Sequence, residues 1–378
     1  MASEVSPPSV DIPKVDIPDL VGDLDVDMII QTETEIDELE KFDEQTMILG
    51  IETSCDETGV AILRGGDQVL ANIISSSADL HSKYGGVVPE VASRAHVQAL
   101  NPAIAEALRK ADVTLWDMSA IAVTVGPGLV GSLIVGVAAA KALASVLEVP
   151  LLGINHLEAH IYANFLEHPD FAPPCIGLIV SGGHTLLVHM PAHGLYEVLG
   201  ETLDDAAGEA FDKIARYLGI GYPGGPAIDQ MALGGSKRAI RFPRAMMKKG
   251  YDFSFSGLKT SVRDYIRKQE EAGNEINLAD VCASFQEAVV DVQVHKTIKA
   301  AQEYNVTNVF VSGGVAANSR LRELMTVMCE ENDLRLFFPS PVYCTDNAAM
   351  VACCGHYRFQ RGIRADPNID PDPNLHLA

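Results

Sequence analysis

Apolar positions are scattered and aperiodic through residues 1–46 and then gather into short, dense runs. Met47 to Glu52 reads as a strand, Thr53 to Thr58 as a polar turn, and Gly59 to Leu63 as a second strand closed by Gly65-Gly66, which together predict a hairpin. Pro89 to Ala111 has helical spacing. Ala120 to Val125 is an apolar strand that runs into a glycine loop, Gly126 to Gly131, and a small-residue helix ending at Leu147. Pro150 to Ile154 predicts another strand, feeding a helix that begins near His156. From Cys175 the order starts again: Cys175 to Val180 is an apolar strand, Ser181-Gly182-Gly183-His184 a turn, and Thr185 to His189 the returning strand. Asn308 to Val311 is a strand of buried type running into Ser312-Gly313-Gly314, and a last helix begins near Thr345. The repeated strand, turn and strand predict two related α/β lobes facing one cleft. The expected division is an acidic disordered leader over 1–46, with at most a nascent helix near Ile36 to Phe42, and lobes over 47–174 and 175–344. A C-terminal helix over 345–364 is expected to pack back on the first lobe, followed by a loose proline-rich tail over 365–378.

Composition narrows the function classes. A chain of 378 residues with 47% hydrophobic content suits two globular lobes. The leader holds 14 acids against Lys14 and Lys41, so it carries −12 of the total formal charge of −23. Import signals are basic or carry an apolar run, so this leader points to the cytoplasm. The most membrane-like stretch, Leu129 to Val149, holds Ser132, Lys141, Ser145 and Glu148, and a buried helix is expected there, with no membrane partner. Seven cysteines without a C-x-x-C pair argue against a disulfide framework and a thiolate zinc site, and the expectation is reduced, mostly buried thiols.

Several short motifs carry chemistry. In Asn155-His156-Leu157-Glu158-Ala159-His160 a helical backbone would bring two imidazoles to one face, within reach of one metal ion, although two surface or capping histidines would read the same. A zinc peptidase of H-E-x-x-H type needs its glutamate where Leu157 stands. Gly126 to Gly131 fits G-x-G-x-x-G, but the following strand ends in Asn155 rather than an acid that would hold a ribose, so close helix packing or an anion cradle is expected. Ser181-Gly182-Gly183 and Ser312-Gly313-Gly314 both follow apolar strands, where bare backbone can approach a nucleotide or merely turn. Gly221 to Pro226, flanked by Asp212 and Asp229, adds another backbone-lined loop, and no P-loop occurs. Asp56 and Glu57 place two carboxylates in the first turn, as a catalytic pair or as solvated turn acids. Asp346 precedes the last helix and reads either as part of a cap or as an oxygen ligand. Lys237, Arg238, Arg241, Arg244, Lys248 and Lys249 form an acid-free basic stripe, continued by Lys259, Arg263, Arg267 and Lys268, which could meet nucleic-acid phosphates or face solvent. Beside it, Tyr251 to Gly257 offers aromatic surface or core.

Taken in order, LGIETSCDETGVAI, GGVVPEVASRAH, VGPGLVGSLIVG, NHLEAH, SGGHT, GEAFDK, GYPGGPAID, DFSFSGLKT, SGGVAAN and CTDNAAM resemble the tRNA N6-adenosine threonylcarbamoyltransferases, once described as O-sialoglycoprotein endopeptidases, from about Ile48 to Gly355. The resemblance implies an actin/hexokinase-like fold of two duplicated lobes around a nucleotide and metal cleft. It implies His156, His160 and Asp346 as metal ligands, and Ile179, Val180, Ser181, Gly182, Gly183, Asp212, Gly225, Asp229 and Asn318 as adenylate-binding positions. Asp56 and Glu57 match acids that face the reacting group. The implied reaction passes the threonylcarbamoyl group of threonylcarbamoyl-AMP to N6 of the adenosine 3′ of the anticodon, in tRNAs reading codons that begin with A. The implied cofactors are one divalent metal, iron first with zinc or manganese as alternatives, and an adenylate-type ligand, threonylcarbamoyl-AMP or ATP/AMP. Implied partners are tRNA, a smaller paralogous subunit and a P-loop ATPase. The archaeal and eukaryotic branch has tyrosine where Ile179 stands and asparagine where His184 stands, so the resemblance is to the bacterial or organellar type. A metallopeptidase and a non-enzymatic nucleotide-gated scaffold are the competing functions.

Overall fold

The computed structural model describes residues 44–377 apart from Gly85, so the leader expectations lie outside the described residues. Among the described residues, ten strands form two five-stranded sheets. In the first, β1 (Met47–Glu52), β2 (Glu57–Arg64), β3 (Gln68–Ser76), β4 (Ala120–Gly126) and β5 (Leu151–Asn155) lie in the order β3-β2-β1-β4-β5. In the second, β6 (Cys175–Val180), β7 (Thr185–Ala192), β8 (Leu195–Glu201), β9 (Asn308–Ser312) and β10 (Arg335–Phe337) lie in the order β10-β9-β6-β7-β8. Each sheet centres on its first strand, with an antiparallel meander on one side (β1-β2-β3, β6-β7-β8) and two parallel strands on the other (β4 and β5, β9 and β10). The two halves are therefore topological copies.

The helices that shape the site are α1 (Pro89–Ala111), α2 (Val130–Leu147), α3 (His156–Tyr162), α4 (Ala207–Leu218), α5 (Gly224–Ala232), α6 (Ser256–Glu271), α7 (Leu278–Glu303), α8 (Ser319–Glu330) and α9 (Ala348–Gln360). Sequence periodicity finds the central strands but not β3, β8 or β10, whose residues are mostly part-exposed at the sheet margins and so carry no apolar signature. Two expectations need correction. Helix α2 is not buried throughout: Ser132, Leu133, Gly136, Val137, Ala140 and Ala144 face the sheet, whereas Val130, Ile134 and Val146 are exposed. It is the one helix among the described residues long and apolar enough to cross a membrane. The tail is not loose either. Ala365 N–H donates to Leu151 O at 2.8 Å, Asp372 N–H to Val125 O at 2.8 Å, and Ile369 and Leu375 pack on the first core, so unsatisfied backbone beside β4 and β5 recruits the chain end.

A buried layer joins the first strand to the last helix. Residues Ala348 to Cys354 of α9 share a core with Ile48, Ala61, Leu152 and Ile154 of the first sheet, and with Ile179, Val188 and Phe310 of the second. Close approach depends on Gly50, where a Cβ would lie 2.9 Å from the Ala352 amide nitrogen and crowd the Ala348 carbonyl. Gly50→Ala should cost about 1–3 kcal/mol by denaturant midpoint, because backbone must shift to admit the methyl. Gly257→Ala, with nothing within 4 Å of the added carbon, should leave the midpoint unchanged or raise it.

Candidate active site

Helix α3 starts abruptly because the Asn155 side chain accepts from the amides of Leu157 at 2.8 Å and Glu158 at 3.4 Å. That cap makes His156 the first helical residue and puts His160 one turn on, with ring centroids 4.7 Å apart. Asp346 arrives from the far end of the chain, immediately before Asn347, whose side chain caps α9 by accepting from Met350 N–H at 3.0 Å. The cap is thus Asn347, and Asp346 is free to turn toward α3. Its Oδ1 lies 3.5 Å from His156 Nε2 and 3.3 Å from His160 Nε2, and the three ligand atoms lie within 4.8 Å of one another.

The surroundings fit a divalent cation at this point. His160 is wholly buried, yet neither ring nitrogen completes a hydrogen bond; Nε2 is near enough to Asp346 to feel its charge but lacks hydrogen-bond geometry. His156 Nδ1 sits 3.2 Å from Glu52 Oε2 and 3.2 Å from Ser54 Oγ, which leaves Nε2 to face Asp346. Glu52 is itself fixed, accepting from Ser54 N–H at 2.5 Å and Thr124 Oγ1 at 2.6 Å. Burial opposes charge on His156, but the carboxylates of Asp346 and Glu52 together outweigh it and raise the imidazole to about 9. Burial would likewise raise Asp346, but His156 and His160 hold it well below the usual carboxylate range. Burial depresses His160.

This centre forms one wall of a cleft of about 670 Å³ lined by both halves. Asp56, Glu57 and His156 contribute from the first; Ser181, Gly182, Gly183, His184 and Asp212 from the second; Asp346 from the segment before α9. Glu57 Oε1 accepts from Ser76 Oγ at 2.9 Å while Oε2 is buried without a partner, and burial, reinforced by Asp56, raises this carboxyl to about 7. Gly182 and Gly183 have open space where a side chain would stand. Asp212 Oδ1 accepts from Gly224 N–H at 2.7 Å and so ties α4 to the start of α5, with burial raising its carboxyl.

Other expected positions lie apart from this wall. The side chains of Ile179 and Val180 are buried in the core, so only backbone there could reach a ligand. Gly225 stands in α5 beside the cleft residue Pro223. Asp229 Oδ1 accepts from Gln286 and Ser319, and Asn318 caps α8 while donating to Gln286, so these two form a network beside a separate hollow of about 460 Å³ that Asp229 lines. The loop at Gly126 to Gly131 borders the same cleft through Pro127, Gly128 and Leu129, but the amides of Gly128 and Leu129 are committed to the carbonyls of Pro373 and Ser54. Phe253 and Phe255 are core. Cys55 is half-buried and the other six cysteines are buried, all as free thiols. Glu158 lies in α3 but its two oxygens are taken by Tyr196 Oη and Arg358, so it faces away from the metal ligands.

Glu52 and the cleft residues Lys213 and Arg216 were not singled out from the sequence, although Glu52 lies in LGIETSCDETGVAI and Lys213 in GEAFDK. Glu52 had a signal, a carboxylate ending a run of wholly buried residues. The other two did not, because charged residues on an amphipathic helix ordinarily face solvent.

The family model for tRNA N6-adenosine threonylcarbamoyltransferase matches residues 68–353. A tRNA N6-adenosine threonylcarbamoyltransferase of Symbiobacterium thermophilum is 54% identical over 332 residues, 88% of this chain and 97% of the relative. One of Clostridioides difficile is 52% identical over 330 residues, 87% and 98% of the two chains. Among solved structures, HypF of T. kodakarensis aligns with TM-score 0.58 at 18% identity over 85% of this chain and 49% of its own. Component A of the Acidaminococcus fermentans (R)-2-hydroxyglutaryl-CoA dehydratase aligns with TM-score 0.50 at 15% identity over 83% and 98%. These two likenesses concern fold alone, and agree with a duplicated actin/hexokinase-like architecture. On the family match and on relatives more than half identical along nearly their whole length, the chain belongs to the tRNA N6-adenosine threonylcarbamoyltransferase family.

Proposed function

We propose that this protein transfers the threonylcarbamoyl group from threonylcarbamoyl-AMP to N6 of the adenosine 3′ of the anticodon, in tRNAs reading codons that begin with A. A bond forms between N6 and the carbamoyl carbon, the bond from that carbon to the phosphate oxygen breaks, AMP leaves, and N6 loses one proton. The carrying observation is the single cleft in which a three-ligand centre, two acids and a bare glycine turn converge, in a chain of this family. Adenine N6 is a weak nucleophile, so rate must come from an activated donor held in attack geometry.

His156, His160 and Asp346 would hold a divalent ion, with iron first and zinc or manganese the alternatives for this nitrogen and oxygen set. When bound, the ion supplies positive charge for the donor's phosphate or carbonyl oxygen. Glu52 keeps the His156 Nδ1 proton and so presents Nε2. The amides at Gly182 and Gly183 can approach the adenylate phosphate, since no side chain intervenes. Asp212 fixes the turn that offers Tyr222 and Pro223 to the nucleotide. Glu57, at the cleft wall, takes the N6 proton on its carboxylate, and Asp56 beside it orients the amine. A single-stranded anticodon loop can present its base without opening a duplex. The proposed assembly includes tRNA, a smaller paralogous subunit and a P-loop ATPase, in the cytoplasm. A peptidase is disfavoured because Glu158 is locked to Arg358 and Tyr196.

Nucleoside mass spectrometry of tRNA incubated with the protein, its bacterial partners and threonylcarbamoyl-AMP tests the reaction. Threonylcarbamoyladenosine should form, and its absence with folded protein and active partners would overturn the proposal. His160→Ala should reduce bound metal, measured by elemental analysis, and lower transfer more than about 100-fold.

The raised Glu57 carboxyl sets a pH dependence. A base acts when deprotonated, so transfer should climb as pH rises through about 7 and level off above it. Glu57→Gln should abolish that limb and lower the rate by about 10²–10⁴-fold, whereas a limb unchanged in the variant assigns the proton to another group.

A further inference from the structure

The acid-free segment 237–249 is irregular in backbone yet firmly held, and helix α7 supports it along one face. Asp280 Oδ1 accepts from Ser236 N–H at 2.7 Å, and Ser284 Oγ donates to Ser236 O and accepts from Ile240 N–H, both at 3.1 Å. Asp291 pairs with Arg244 at 2.6 Å. Farther along α7 the wholly buried Lys296 donates to the carbonyls of Lys249 at 2.8 Å and Gly250 at 3.1 Å. Helix α6 is anchored as well, its first amides and two serine hydroxyls all donating to Asp204. The cations carried by these two elements are thus set out on a pinned surface and not on a loose loop.

Their placement continues the cleft. Lys213 of α4 lines the cleft and also a second hollow of about 240 Å³, beside Lys259 and Arg263 of α6. Ser261, on the opposite flank of α6 from those two, lines a third groove of about 830 Å³ together with Arg238, Arg241 and Arg244, so a path between the two hollows crosses the exposed ridge of α6. Lys213 is committed to Asp205 and Glu209, and Arg244 to Asp291. Arg238, Arg241, Lys259 and Arg263 have no carboxylate partner among the described residues. In a chain of formal charge −23, four uncompensated cations along a path out of the reaction cleft call for an anion from outside.

We infer that this path, from Lys213 across Lys259 and Arg263 to Arg238 and Arg241, binds the backbone phosphates of the anticodon arm flanking the adenosine in the cleft. The inference rests on the proposed tRNA substrate. An RNA backbone fits better than an acidic protein because the path opens directly into the cleft that must admit a base, and phosphate contacts are what fix register on a nucleic acid. Arginine supplies planar forks for phosphate oxygens.

Two paired variants of the full chain test this, Arg238→Ala with Arg241→Ala and Lys259→Ala with Arg263→Ala. Fluorescence anisotropy with substrate tRNA over a salt series reads the result. Each pair should lower the slope of log affinity against log salt by about 1.5 and weaken binding roughly tenfold at ~0.1 M salt. The KM for tRNA should rise in step, with melting temperature and bound metal as in the unaltered protein. Arg238→Lys with Arg241→Lys should restore the slope. If both alanine pairs bind tRNA with unaltered affinity and slope while the unaltered protein forms threonylcarbamoyladenosine, the path is refuted and the groove is left to an acidic protein partner. If the unaltered protein forms no threonylcarbamoyladenosine, the transferase proposal fails; salt-dependent tRNA binding lost in the pairs would still support the path.

Discussion

Two carboxylates, Glu52 and Asp346, and two imidazoles, His156 and His160, meet in a nearly dry junction, and their charges must balance there. With both acids ionised and both imidazoles neutral, the cluster carries two uncompensated negative charges. A proton on His156 relieves half of that, which is why the ring is held up at about 9. A divalent cation relieves all of it. The same groups that make the junction costly without a cation would favour one there, and its binding would then be linked to release of the imidazole proton.

That junction also explains the chain path. His156 follows β5, Glu52 ends β1, and Asp346 introduces α9, so the cluster can close only if the last helix returns to the first strand. Gly50 permits the approach by lacking a side chain where α9 crosses β1. The tail, hydrogen-bonded along β4 and β5, ties the chain end to the same lobe. Duplicated sheets then place a second turn, Ser181 to His184, opposite the turn that bears Asp56 and Glu57, so the cleft follows from topology as much as from any one contact.

Much of this was legible in the sequence. The central strands are written as unbroken apolar runs because both faces are buried, and Cys175–Val180 matches to the residue. The i, i+4 histidines needed only an N-cap, and Asn155 is one. Marginal strands β3 and β8 escaped because half-exposed residues carry no period, and the packed tail escaped because its bonds are made by backbone, which composition does not report. Asp229 and Asn318 were legible as motif positions, but not the network that joins them through Gln286, because partners 32 and more residues apart in the chain are set by packing.

Charge is distributed in a way that the net value of −23 conceals. An acid-rich cleft concentrates cations but repels a polyanion, so a substrate bearing phosphates must be drawn by groups outside the metal centre. At physiological salt, exposed charges farther apart than about 8 Å are largely screened, so cations at contact range weigh more on a bound polyanion than the net charge of the chain. Lys259 and Arg263, without a carboxylate partner among the described residues, stand beside Lys213 of the helix that lines the cleft, and Arg238 and Arg241 line the groove on the other flank of α6. The proposed metal site and the inferred phosphate path thus put two electrostatic tasks in separate places, a cation at the buried junction and an anion on the pinned rim.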